Sequence, residues 1–137
     1  MEFIIDASVA LGWCFSDEAT PTTRRLLKQL DKETAHVPVL WFLEVGNVLL
    51  TAIRKKRLTQ ADATKFLSLI NSLKIEVDLD AATNGAHDIF LLAQAENLTT
   101  YDAAYLSLAM RLGLPLATRD KALIVSAKRV GVDLIPS

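Results

Sequence analysis

The chain has 137 residues, a length typical of one domain, and folding at this size buries roughly two-thirds of the unfolded surface. Hydrophobic residues make up 51%, but the longest apolar run, Val37 to Leu43, is far shorter than the ~18 residues of a membrane span. The net charge is −1, so the chain as a whole does not attract nucleic acid through an overall positive charge. Any nucleic acid would have to be bound by a local basic patch or through metal ions.

Apolar runs and turn residues predict strands that alternate with helices along the whole chain. The predicted strands are residues 3–5, 35–39, 75–78, 114–118 and 132–135. The predicted helices are a short one opening at Asp6, then 18–33, 40–56, 59–73, 80–96, one from Thr99 or Thr100 to 112, and 120–130. This alternation predicts an α/β fold in three layers, with a central parallel sheet of about five strands covered on both faces.

Four carboxylates fall where this fold brings distant segments together. Asp6 and Asp120 directly follow predicted strands, Asp102 lies in the first turn of a helix, and Glu44 lies about one turn into another. The carboxyl ends of parallel strands and the amino ends of the following helices share one edge of a sheet, where ligands bind. We therefore expect the four side chains to face one cleft.

Each of three carboxylates also has a purely structural interpretation, which the residues alone leave open. Asp6 and Asp120 are good helix N-caps, and Thr99 with Asp102 matches a capping box. Glu44 is harder to explain in this way, because its predicted helix is otherwise apolar except for Asn47 and Thr51. These polar residues share one narrow helix face, and burial of an unpaired charge there would be costly.

Converging carboxylates need compensating positive charge. Two of them about 4 Å apart repel by about 4 kcal/mol at an effective dielectric constant near 20. Arg119 and Lys121 flank Asp120 and neutralise part of this charge, and a divalent cation would neutralise more. Oxygen ligands without clustered Cys or His favour Mg²⁺ or Mn²⁺ over Zn²⁺, and we interpret His36 and His87 as structural or surface residues. Such a site is suited to phosphate-ester hydrolysis.

Three stretches closely resemble the PIN-domain ribonucleases, specifically the VapC-type toxins: "IIDASVAL", "WFLEVGNVLL" and "TYDAAYLSLAMRLGLPLATRDKAL". The resemblance covers the whole chain and implies a single PIN domain over residues 1–137. It also implies that the catalytic and metal-binding acidic quartet is Asp6, Glu44, Asp102 and Asp120, accompanied by Ser8, Asn47 and Thr118. Gly12 is a departure, because relatives often carry a base at this position.

The resemblance further implies an Mg²⁺- or Mn²⁺-dependent endoribonuclease that acts as the toxin of a toxin–antitoxin pair, forms a homodimer and is blocked by a VapB-type antitoxin. Arg119 and Lys121 are then candidate contacts to the RNA phosphates. The opening segment does not read as a signal peptide, and the single Cys14 suits a reducing cytoplasm, so we expect a cytoplasmic location. The alternative is a non-catalytic PIN-like module that binds RNA or protein, for which loss of Asp6 would leave function intact.

Overall fold

Four parallel strands form the sheet of the computed structural model, which describes residues 1–80 and 85–136. The strands are β1 (Phe3–Ile5), β2 (Ala35–Pro38), β3 (Ile75–Asp78) and β4 (Leu116–Ala117), in the spatial order β3-β2-β1-β4. Every neighbouring pair is parallel. The parallel α/β architecture predicted from the sequence is therefore confirmed, and β1 lies inside the sheet with β4 beside it.

The prediction of a fifth strand over residues 132–135 is wrong. This segment pairs with β4 only through an isolated bridge between Leu116 and Leu134. A proline lies at each side of the contact: Pro115 precedes β4 and Pro136 follows the segment, and neither has an N–H group to extend a ladder. For the same reason the predicted strand 114–118 is reduced to two residues.

Helices connect the strands on both faces of the sheet. They are α1 (Ala7–Ala10), α2 (Pro21–Gln29), α3 (Leu40–Arg54), α4 (Gln60–Ser72), α5 (Ala86–Glu96), α6 (Thr100–Leu112) and α7 (Lys121–Val130). Two 3₁₀ turns, Leu11–Trp13 and Ser16–Glu18, join α1 to α2. The helix predicted over 80–96 is observed from Ala86, and residues 81–84 of that prediction lie outside the described residues. The predicted 18–33 helix is shorter, since it starts with Pro21 after the Thr20 cap.

The core lies between the sheet and its helices. All three residues of β1 are completely buried, as expected for a strand covered on both faces. Although α3 is largely apolar, it is not buried all round: Leu43 is 74% exposed, and only the face that carries Trp41, Val45 and Leu49 enters the core. Among the described residues, none of the helices combines the length and apolar character needed to cross a membrane.

Candidate active site

Asp6 is the buried centre of the polar cluster at the carboxyl end of the sheet. It follows β1, caps α1 and is only 6% exposed. Its Oδ1 atom accepts hydrogen bonds from Ser8 Oγ at 2.5 Å and from the backbone N–H of Val9 at 3.3 Å, and Oδ2 accepts one from Thr118 Oγ1. Both carboxylate oxygens are therefore held in place, and the capping role is confirmed.

Backbone N–H groups in the turn after β4 hold the hydroxyl groups of Ser8 and Thr118 in place. The backbone N–H of Arg119 donates to Ser8 Oγ at 3.2 Å, and the N–H of Asp120 donates to Thr118 Oγ1 at 3.1 Å. Each hydroxyl accepts a backbone hydrogen bond and directs its own proton towards Asp6. Ser8 and Thr118, predicted as accompanying polar residues, thus link the ends of two adjacent strands around one carboxylate.

Glu44 reaches the cluster from the first turns of α3 and has a partner that the sequence did not suggest. The hydroxyl of Tyr105, in α6, donates a hydrogen bond to Glu44 Oε1. Tyr105 is 1% exposed, so this contact takes place inside the core. The expectation that the Glu44 carboxylate meets a polar partner is confirmed.

Asp102 and Asp120 complete the quartet at the amino ends of α6 and α7. The N–H of Asp102 donates to Thr99 Oγ1 at 3.1 Å, so Thr99 caps α6, whereas Asp120 caps α7 by accepting the N–H of Leu123 at 2.9 Å. Asp102 is partly buried and Asp120 is exposed. The capping interpretation of Asp120 is thus correct. The predicted capping box at α6 is only half present, because Thr99 accepts the Asp102 N–H but no return bond from the Thr99 N–H to Asp102 is found among the described residues. Capping does not prevent either carboxylate from facing a shared cleft.

The acids lie close enough together for the charge of one to shift the pKa of another. Burial raises the pKa of Asp6 although hydrogen bonds, those from Ser8 and Thr118 foremost, oppose the shift. Burial also raises the pKa of Glu44, with the Tyr105 hydrogen bond opposing the shift and the charges of Asp6 and Asp102 adding to it. The pKa of Asp102 is raised by burial and then by the charges of Asp120 and Asp6. The charged forms of Asp6, Glu44 and Asp102 are therefore disfavoured without a counter-charge.

Two other predicted residues lie at the margin of this cluster. Lys121 is exposed in the first turn of α7, and Asn47 is exposed one turn along α3 from Glu44. Asn47 lines a shallow cavity of about 270 Å³ together with Thr51 and Lys55, and within the described residues it has no hydrogen bond to a carboxylate of the quartet. The structure therefore brings Ser8 and Thr118 into the centre of the site and leaves Asn47 on its flank.

The donor set is compatible with Mg²⁺ or Mn²⁺ but is not a closed cage. Over residues 1–80 and 85–136, no three Asp, Glu, His or Cys side chains are arranged to hold a metal ion. Oxygens of Asp6 and Glu44 accept hydrogen bonds from hydroxyl groups of Ser8, Thr118 and Tyr105. Mg²⁺ commonly uses one or two carboxylates and keeps several waters, so an open, oxygen-only cluster fits that ion in chemistry.

Two arginines hold the 3₁₀ turn at Ser16–Glu18 against the site. Arg119 Nη1 donates to the carbonyl oxygen of Glu18 at 2.8 Å. Arg57 pairs with Asp17 and Glu18 at 2.9 Å each, and its guanidinium lies 3.9 Å from the centre of the Phe15 ring. Arg57 is therefore committed to local structure, whereas the guanidinium of Arg119 has five N–H donors and can also serve a second acceptor.

Gly12 is explained by the close approach of the same turn. A Cβ atom at this position would come within 2.9 Å of the Thr23 methyl group and 3.1 Å of the Glu18 carbonyl oxygen. A larger basic residue at this position would not fit the arrangement. The glycine at position 12, where relatives often carry a base, is therefore explained by the tight packing of the loop between α1 and α2.

The family model for the PIN domain matches residues 3–129. The chain therefore belongs to the PIN-domain family, as the resemblance implied. Among curated proteins it is similar to ribonuclease VapC3 of Pyrobaculum aerophilum, with 28% identity over 123 residues that cover 90% of this chain and 92% of that protein.

Solved structures support the same fold. PAE2754 from Pyrobaculum aerophilum superposes with a TM-score of 0.72 at 26% identity, covering 98% of this chain and 92% of that one. VapBC2 from Rickettsia felis, solved with a DNA fragment from its promoter, gives a TM-score of 0.64 at 13% identity and 98% coverage of both chains. FitAcB from Neisseria gonorrhoeae gives 0.61 at 16% identity, with coverage of 99% and 97%. The last two likenesses concern the fold alone.

Proposed function

We propose that this PIN-domain protein is a divalent-metal-dependent endoribonuclease that acts as the toxin of a toxin–antitoxin pair. The observation that carries the proposal is the buried Asp6 carboxylate at the carboxyl end of β1, whose two oxygens are held by Ser8 and Thr118. The charges of Asp6, Asp102 and Asp120 also act on neighbouring acids of the quartet, in agreement with a shared site. The similarity to a curated VapC ribonuclease over nine-tenths of the chain supports the choice of RNA as substrate. We take the 137 residues as one catalytic domain.

The proposed roles follow from the positions of the side chains. Asp6, Glu44, Asp102 and Asp120 would hold the cation, and Ser8 and Thr118 would keep Asp6 ionised and fixed by donating to its two oxygens. Lys121 and the remaining donors of Arg119 would contact the RNA phosphates, with Asn47 as a further polar contact at the flank of the cleft. When bound, Mg²⁺ or Mn²⁺ supplies a Lewis acid that activates an attacking water and stabilises the leaving oxygen.

A toxin of this kind would be tolerated by its cell only with a partner that masks the cleft. We propose a VapB-type antitoxin segment with an Arg or Lys side chain that reaches Asp6, Asp102 and Asp120, because a cation directly satisfies those carboxylates. Exposed apolar side chains, among them Leu43, Phe90 and Tyr101, surround a cavity of about 550 Å³ and favour a homodimer. We further propose a cytoplasmic location.

Growth arrest and RNA cleavage test the proposal together. Induced without a partner in a bacterium, the wild-type chain should arrest growth, and Asp6→Ala at matched soluble expression should not. Purified protein should cut single-stranded RNA with Mg²⁺ or Mn²⁺ but not with EDTA, and Asp6→Asn or Asp102→Asn should lose at least about 100-fold, since each removes an anionic ligand.

The outcomes separate the proposal from its alternative. Arrest by both the wild type and Asp6→Ala would favour a non-catalytic binding module. Undiminished cleavage by a folded Asp102→Asn protein would contradict the assigned roles. Arrest by neither protein, at equal soluble expression, would remove the support for a toxin.

A further inference from the structure

Tyr105 is a buried polar side chain for which the quartet assigns no role. Its hydroxyl donates to Glu44 Oε1 and also interacts with the backbone N–H of Ala7, the residue that follows Asp6. One oxygen atom therefore joins the start of α1, the first turns of α3 and the middle of α6. Tyr105 also follows Asp102 by three residues, so the two side chains lie on the same face of α6.

The choice of acceptor distinguishes this contact from an ordinary buried tyrosine. A phenol in a core needs one hydrogen-bond acceptor, and any backbone carbonyl would serve. Here the acceptor is one oxygen of the Glu44 carboxylate, which is only partly buried and reaches the polar cluster at the end of the sheet. Among the described residues the other oxygen, Oε2, accepts no hydrogen bond, so the hydroxyl fixes one oxygen and leaves the second available to a cation, which a purely structural role would not require.

We propose that Tyr105 is a positioning residue, whose hydroxyl holds Oε1 of Glu44 and so orients this carboxylate towards the cleft shared with Asp6 and Asp102. The inference rests on the proposed nuclease function and deepens it. Without the hydroxyl, the Glu44 side chain loses this hydrogen bond and regains rotational freedom. Removal of such an outer partner of a metal ligand typically reduces metal affinity or activity by about 10- to 100-fold.

Tyr105→Phe tests the role, because it removes the hydroxyl and retains the ring that fills the core. The matched control is Ser72→Ala, which removes an exposed hydroxyl at the end of α4, outside the polar cluster. Mn²⁺ binding without RNA is measured by isothermal titration calorimetry, RNA cleavage gives kcat and KM at saturating Mn²⁺, and urea unfolding reports stability. We expect Tyr105→Phe to bind Mn²⁺ about 10-fold more weakly and to lower kcat with little change in KM, whereas Ser72→Ala behaves as the wild type.

A double-mutant cycle with Glu44→Gln shows whether the effect passes through Glu44. In that background, Tyr105→Phe should cause no further loss of Mn²⁺ affinity. A further loss of the same size as in the wild type would overturn the proposal, as would unchanged Mn²⁺ affinity in Tyr105→Phe. A wild-type protein that neither binds Mn²⁺ nor cuts RNA would overturn the proposed function itself, so the two failures are distinguishable.

Discussion

At the scale of single residues, the site consists of acids kept in surroundings that disfavour their charge. Burial is the first cause of the raised pKa at Asp6, Glu44 and Asp102. An acid with a higher pKa in the folded than in the unfolded protein binds more protons when folded. Below the pKa of the unfolded state, this acid is protonated in both states and does not lower the free energy of unfolding. As the pH rises through the higher pKa of the folded state, the buried acid must ionise and the free energy of unfolding falls. The cleft therefore destabilises the metal-free protein increasingly above about pH 4.

Asp102→Asn should consequently raise the free energy of unfolding of the metal-free protein at neutral pH. The gain relative to the wild type should shrink as the pH falls towards 3.8, the ordinary pKa of this carboxyl, and vanish below it, where the wild-type side chain is protonated in both states. Urea unfolding in EDTA at several pH values measures the difference. Asp31→Asn, at an exposed position, is the control and should show no comparable pH-dependent gain. A less stable Asp102→Asn protein at pH 7 would contradict the interpretation.

At the scale of secondary structure, local chemistry determines where the helices begin and end. Thr99 and Gly113 bound α6, and Asp120 and Gly131 bound α7, as the sequence predicted. These limits are predictable because a cap acts on N–H or C=O groups within one turn of itself. The tight loop between α1 and α2 is different, because Gly12 is required by contacts with residues that lie further along the chain.

Gly12→Ala should destabilise the protein by roughly 1–3 kcal/mol, the usual cost of an overpacked position. The added methyl group would meet the Glu18 carbonyl oxygen, which is also the acceptor for Arg119. Gly46→Ala in α3 is the matched control, since a methyl group added there would have nothing within 4 Å, and it should stabilise by about 0.5–1 kcal/mol. Thermal and urea unfolding of both variants measure the effects, and equal stability of the two would refute the packing argument.

Long-range contacts mark the limit of what could be predicted from the sequence. The helices and strands follow from the periodicity of apolar residues and from capping residues. The grouping of the four carboxylates follows from the shared edge of a parallel sheet. The hydrogen bond between Tyr105 and Glu44 joins residues 61 positions apart, and no local pattern distinguishes it from core packing. The fifth strand is a different case, because Pro115 and Pro136 limit its pairing with β4 and both prolines are visible in the sequence.

At the scale of the whole molecule, the sheet order concentrates negative charge that a cation can relieve. A ligand that binds only the folded state stabilises it by about 2.7 kcal/mol when its free concentration is 100 times the dissociation constant. Mn²⁺ should therefore raise the Tm of the wild-type protein by several degrees. Scanning calorimetry with Mn²⁺ or EDTA measures the shift, which Asp6→Asn should abolish and Asp31→Asn should retain. An equal rise in all three proteins would indicate binding outside the cleft.

The position of β4 beside β1 has a consequence for when the proposed toxin becomes dangerous to its host. Thr118 and Asp6 lie 112 residues apart, yet they share a hydrogen bond at the centre of the site. A chain still emerging from the ribosome holds Asp6 and Glu44 long before the turn that carries Thr118 and Asp120 has been made. Pairing between such distant segments is slow, because the entropy of closing a long loop must be overcome first. The proposed site is therefore incomplete until translation has passed Asp120 and β4 has paired with β1, so the proposed nuclease would become active, and its cleft would become available to an antitoxin, only at the end of folding.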